Sequence, residues 1–128
     1  MPEGRFKRAL RRLTADDDEL AAEDLQSRVE QHGACPIAEA PSRRPVRLHG
    51  TLQSVTLRPR GGVPALEAEL YDGTATAYVV FLGRRKIEGI RPGASMVVEG
   101  RLSEPAGGHR TIYNPSYELL PQRSDQPG

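Results

Sequence analysis

Between residues 46 and 120, apolar and polar positions alternate with a period of two, in blocks separated by turn-forming residues. This is the pattern of strands with one buried face. In VRLHGTLQSV, Val46, Leu48, Gly50 and Leu52 share one face, whereas Val55 and Leu57 fall on the opposite parity. A parity change inside one long strand calls for a bulge or sharp bend between Gly50 and Val55. Gly50 has no Cβ and suits the close backbone approach at such a bend. ALEAELY places Leu66, Ala68 and Leu70 inward, with Glu67, Glu69 and Tyr71 outward. TAYVVFL places Ala77, Val79 and Phe81 inward, with Tyr78, Val80 and Leu82 on the other face. Asp72-Gly73 between them signals a hairpin, which Thr74 lengthens beyond two residues. In ASMVVEGRL, Met96, Val98, Gly100 and Leu102 share one face, and Val97, Glu99 and Arg101 the other. The last block, RTIYNPSYELL, contains Asn114-Pro115. Proline donates no ladder hydrogen bond, so this strand must break, bulge or lie at an edge there.

The connections complete the layout. RPRGGVP (58–64) and SEPAGGH (103–109) are turn-rich loops, and GRRKIEGIRPG (83–93) is a longer connector that ends in a Pro-Gly turn. Five strands with their longest connection between the third and fourth predict a mainly β fold. The layout is that of a five-stranded Greek-key barrel, the OB-fold, over residues 46–120.

Residues 1–45 read as a helical N-terminal extension and linker. Phe6, Leu10 and Leu13 recur at helical spacing among Arg and Lys. A second helix starts near Asp16, Asp17 and Asp18, carries Leu20, Leu25 and Val29 as its stripe, and stops at Gly33. The stripe is expected to plug an end or cover an edge of the barrel. Residues 121–128, PQRSDQPG, are expected to form a disordered tail.

Composition changes this picture in three ways. With 18 Lys plus Arg against 17 Asp plus Glu, the net charge is +1, so the chain is not a simple polycation. Any cationic surface must come from local arrangement. Residues 1–45 carry eight basic and nine acidic side chains, whereas 46–120 carry nine and seven. The mean hydropathy of -0.56 and the lack of a long apolar run argue against a membrane span. Finally, the single cysteine, Cys35, forms no internal disulfide and fits a reducing cytoplasm. Aromatic residues make up only 5% of the chain, so no wide stacking platform is expected.

Residues 46–119 resemble the nucleic-acid-binding OB-fold family that includes tRNA anticodon-binding-like domains and the wedge domain of the RecG helicase. The likeness rests on the opening VRLHGTL, the LYDGTATAYVVF hairpin, PGASMVVEGRL and the closing YNPSYEL. The whole chain, including RALRRLTADDDEL and LGRRKIEGIRPG, is similar to short actinobacterial OB-fold proteins described as nucleic-acid-binding. The resemblance implies a binding module rather than an ATPase.

Single-stranded nucleic acid is held by cations that track the backbone and by rings on which bases stack. The candidate binding residues are Arg58 and Arg60 in the first loop, Tyr71 and Tyr78 on the outward face, and Arg84, Arg85 and Lys86 in the connector. Arg101 on the fourth strand, with His109 and Arg110 of the last loop region, completes the set. Glu67 and Glu69 share the face with Tyr71 and would repel a phosphate backbone at contact range. The bland reading of Tyr71 and Tyr78 is cross-strand packing, and that of Arg84, Arg85 and Lys86 a solvated run. Catalysis finds no support: His32, His49 and His109 share no ligand spacing, and no metal or cofactor is expected. The expected partner is nucleic acid, either single-stranded or branched DNA or RNA. A protein partner bound by the barrel as an adaptor is the alternative.

Overall fold

The computed structural model describes residues 16–104 and 108–121, with side chains from residue 22 onward. The first helical pattern (Phe6, Leu10, Leu13) and the tail 122–128 lie outside the described residues. The elements are α1 (Asp16–Gln31), a 3-10 turn (Ile37–Glu39), β1 (Pro45–Leu57), β2 (Ala65–Tyr71), β3 (Thr76–Leu82), β4 (Ser95–Ser103), β5 (Thr111–Tyr113) and β6 (Ser116–Leu120).

The strands hydrogen-bond in the order β1-β2-β3-β5-β4, and β4 returns to pair with β1, closing a ring of five. All pairings are antiparallel except β3 with β5. β5 and β6 follow one another along the same edge of β4, interrupted at Asn114-Pro115 where the sequence requires a break. Asn114 turns the chain with φ of 51°, a region that asparagine enters more readily than most residues. Its Oδ1 accepts from Leu82 N at 2.9 Å, and its own N donates to Val80 O at 2.7 Å.

β1 serves two neighbours. Its first half, Pro45 to Thr51, pairs with β4, and its second half pairs with β2. The handover comes with the expected irregularity: Leu52 faces Leu70, but Ser54 faces Glu69, leaving Gln53 extra. One added residue flips the side-chain parity, so Leu52 and Val55 both reach the interior. Leu57 does not follow; it is 49% exposed because the strand has run past the core by then. At Gly50 a Cβ would stand 2.6 Å from the Tyr71 carbonyl oxygen, so the two backbones meet there as only glycine allows.

The ring is filled by Leu48, Leu52, Leu70, Val79, Met96, Val98, Leu102 and Ile112, all 0–1% exposed. Two further contributions were not legible as core. Ile87 and Ile90 of the connector are buried in the same cluster. Ile37 and Ala40, from the stretch read as linker, also join it. The end plug is therefore the 3-10 turn rather than the helical stripe. Leu25 and Val29 of that stripe are buried but lie outside the central cluster.

α1 ends as its sequence predicts. Ala34 N donates to Val29 O and Gly33 N to Glu30 O, with Gly33 at φ 67°. That pair of bonds is the Schellman closure, which needs a left-handed residue at this position. The helix touches the β2–β3 turn, where Gln26 Nε2 donates to Gly73 O at 2.9 Å.

The same turn is tied down from within by Asp72. This carboxylate is fully buried and accepts four hydrogen bonds. Oδ1 takes Thr74 N at 2.8 Å, Thr74 Oγ1 at 2.6 Å and Ala75 N at 3.2 Å. Oδ2 takes Ile37 N at 2.7 Å, linking the hairpin to the plug.

Candidate nucleic-acid interface

The alternation of β2 and β3 puts two rows of side chains on the outer face of the ring. Strand register aligns Ser54, Glu69, Tyr78 and Thr111 in one row, and Thr56, Glu67, Val80 and Tyr113 in the next. A cleft of about 150 Å³ opens over the first row, reaching Arg58, Glu67 and His109 at its margins. The His109 ring lies 4.8 Å from the Tyr78 ring, tilted by 44°. Tyr78 OH donates to Glu69 Oε1 at 3.2 Å. Burial, followed by that hydrogen bond, raises the Tyr78 pKa, so the phenol stays protonated.

Arg60 stands at the edge of this face, in the tip of the β1–β2 hairpin. Gly61 and Gly62 have φ of 58° and 80°, and Arg60 and Val63 exchange both backbone bonds across them. Two successive left-handed residues make a type I′ turn, which matches the twist of the flanking strands. These glycines therefore shape the hairpin. Arg60 Nη2 pairs with Glu67 at 2.9 Å, and its guanidinium lies 5.9 Å from the centre of the Tyr113 ring. Glu67 and Tyr113 flank Val80 in register, so Arg60 reaches across Val80. That cover explains why Val80, which points outward, is fully buried. The Glu67 bond, its foremost cause, raises the Arg60 pKa. Arg60, a candidate binding residue of the first loop, is thus also engaged in holding the fold.

The connector starts beside this hairpin, because Gly83 N donates to Pro64 O at 2.7 Å. Arg84, Arg85 and Lys86 follow at once, all exposed, and none forms an ion pair among the described residues. Arg58, on the strand end facing Ala65, is exposed and unpaired in the same sense. Tertiary structure thus brings the first loop and the connector to one end of the ring.

A scan against protein-family models gives no match, and no curated protein matches the sequence.

Of the expected site residues, Arg58 and Tyr78 line this cleft; Arg60 and the Arg84-Arg85-Lys86 run do not, and three more, Tyr71, Arg101 and Arg110, are not part of it either. Tyr71 is half-buried at the far end of β2, beyond Glu69 and next to the turn held by Asp72. Arg101 projects from β4, which pairs with neither β2 nor β3. Arg110 donates to the Ile37 carbonyl and lies 3.6 Å from Glu104, so it braces the plug and is half-neutralised. His109, which the last loop region also offered, lines the cleft and makes a ring contact with Tyr78. Its loop position gave no periodicity from which that contact could be read.

A second polar crevice lies on the other side, where α1 crosses the sheet. It measures about 410 Å³ and is bordered by Arg28, His32, His49 and Ser95 among others. His49 is 1% exposed, its ring stacks on His32 at 4.7 Å, and its Nδ1 has no hydrogen-bond partner among the described residues. Burial first, then the neighbouring His32 and Arg28, push its pKa down from 6.5 to about 4. Among the described residues, no group of three His, Cys, Asp or Glu side chains is placed to hold a metal ion.

The pH dependence follows from the sign of that shift. The folded state prefers neutral His49, so its contribution is whole above pH 6.5 and lost as pH falls towards 4. Going from pH 7 to pH 5 is expected to cost about 2 kcal/mol from this residue alone. Urea midpoints at the two pH values should therefore diverge more for the wild type than for His49→Leu. Equal pH dependence in the two proteins would show that His49 is not held neutral. Cys35, half-buried against the core, also has a raised pKa, caused chiefly by burial.

Proposed function

We propose that this chain is an OB-fold barrel that binds single-stranded or branched nucleic acid in the cytoplasm, without catalysis. The ring order 1-2-3-5-4-1, with one parallel pairing between β3 and β5, supports the OB-fold reading. The observation that carries the functional reading is a juxtaposition on one face. The Tyr78–His109 ring pair opens beside unpaired Arg58, and the backbone bond from Gly83 to Pro64 sets the Arg84-Arg85-Lys86 run against the same end. Rings for bases next to cations for phosphates is the arrangement that single-strand binding needs. Glu67 and Glu69 direct phosphates away from the middle of the face and towards its cationic end.

Titration with labelled single-stranded DNA, single-stranded RNA and fork DNA at two salt concentrations tests this reading. At low salt, dissociation constants below about 100 μM are expected, with log K falling linearly as log salt rises. Failure of all three probes to bind at that level refutes it.

A second reading has its own support. Leu57, Val63, Leu82, Tyr113 and Tyr117 are each 40–49% exposed. An apolar group of this kind also suits a protein partner, with the barrel as an adaptor. A partner that co-purifies at high salt and survives nuclease treatment would favour that reading.

A further inference from the structure

The two glutamates on the binding face pose a problem that their surroundings resolve. A carboxylate accepts hydrogen bonds and donates none when ionised. Glu67 is committed to Arg60, and its side chain is only 12% exposed. Glu69 is held in place by one bond, from Tyr78 OH, and lines the cleft. Most of its acceptor capacity, about four lone-pair sites in all, is unused among the described residues. Its neighbour on β3 is the half-buried Tyr78 ring, which lines the same cleft, and Arg58 brings donors to its margin. A ligand that fits must offer a planar ring, adjacent donors towards Glu69 and acceptors towards Arg58.

We propose that the Tyr78–Glu69–Arg58 cleft is a guanine-selective base pocket. The inference rests on the nucleic-acid reading above and narrows it. Guanine presents N1–H and N2–H₂ side by side, which match the two oxygens of one carboxylate. Its O6 and N7 are acceptors suited to an arginine fork. Uracil and thymine present oxygens on both sides of a single N–H, and those oxygens face Glu69 with like charge. Adenine and cytosine each offer an amino group but place a bare ring nitrogen beside it. The base plane stacks on Tyr78, and the phosphates run outward to Arg84, Arg85 and Lys86. Glu69 thereby becomes the source of selectivity rather than an obstacle to binding, while Glu67 stays paired with Arg60.

The test uses the full chain and three thymidine tracts that differ at one central position: guanine, inosine, which lacks the N2 amino group, or thymine. The guanine oligonucleotide is expected to bind at least about tenfold tighter than the all-thymine one, with inosine between them. Glu69→Gln keeps the shape and an acceptor for Tyr78 but turns a donor towards guanine. It should bring the guanine-to-thymine ratio close to one, with the thymine tract binding at least as tightly as before because the carboxylate that repels its oxygens is neutralised. Equal binding of the three oligonucleotides to the wild type overturns the pocket alone. So does a guanine preference that persists in Glu69→Gln. Absence of binding to all three overturns the nucleic-acid reading and the pocket with it.

Discussion

Asp72→Ala is expected to destabilise the fold by about 3–5 kcal/mol, because it strips a buried acceptor from four donors at once. The donors are not equivalent. Thr74 is exposed, so its groups turn to water when the carboxylate is gone. Ile37 N is different: it sits on a fully buried residue that plugs the core. Leaving one buried donor unsatisfied costs about 1–3 kcal/mol, and losing hydrogen bonds to a charged acceptor adds a similar amount. Asp72→Asn keeps one acceptor oxygen but must point its NH₂ group at a donor on one side, so it should recover only about half the loss. Urea unfolding followed by circular dichroism measures both variants. A loss below about 1 kcal/mol for Asp72→Ala would mean that the turn and the plug are held by something other than this carboxylate.

Arg84→Glu combined with Arg85→Glu is expected to weaken single-strand binding about 100-fold at low salt. Each substitution removes a cation and leaves a like charge facing the phosphates. Two lost contacts at roughly 1.5 kcal/mol each give that factor. The slope of log K against log salt should also become shallower by about 1.4, since a single-strand phosphate contact releases about 0.7 counterion. Both side chains are exposed and unpaired among the described residues, so the melting temperature should not move. Arg101→Glu supplies the contrast: β4 pairs with neither strand of the cleft, so this charge reversal should leave affinity nearly unchanged. Affinity unmoved by the double substitution would remove the connector from the interface.

The elements of the fold were legible because each depends on local alternation. The β1 bulge could be placed between Gly50 and Val55 because a period of two makes one extra residue flip every later side chain, and the strand register puts it at Gln53. The break at Asn114-Pro115 and the helix stop at Gly33 were also local matters, of proline's missing donor and glycine's left-handed freedom. The candidate site was legible only in part. Tyr78 was read on the outward face and Arg58 in the first loop, but the ion pairs of Arg60 and Arg110 could not be read. Their carboxylate partners, Glu67 and Glu104, lie seven and six residues away, a spacing that predicts no contact in a loop or a strand. Ile37, Ala40, Ile87 and Ile90 lie in segments without period, so their burial was hidden.

By itself, then, the sequence determined the strand faces, the bulge, the turns and the helix end, since these follow from backbone sterics and the side-chain period. Tertiary structure alone decided which residues meet. Closure of the ring joined the first hairpin to the connector, set His109 against Tyr78 and buried Asp72 over the plug. Such contacts span tens of residues in the chain, and their free energy comes from burial and hydrogen bonding that exist only once the strands have paired.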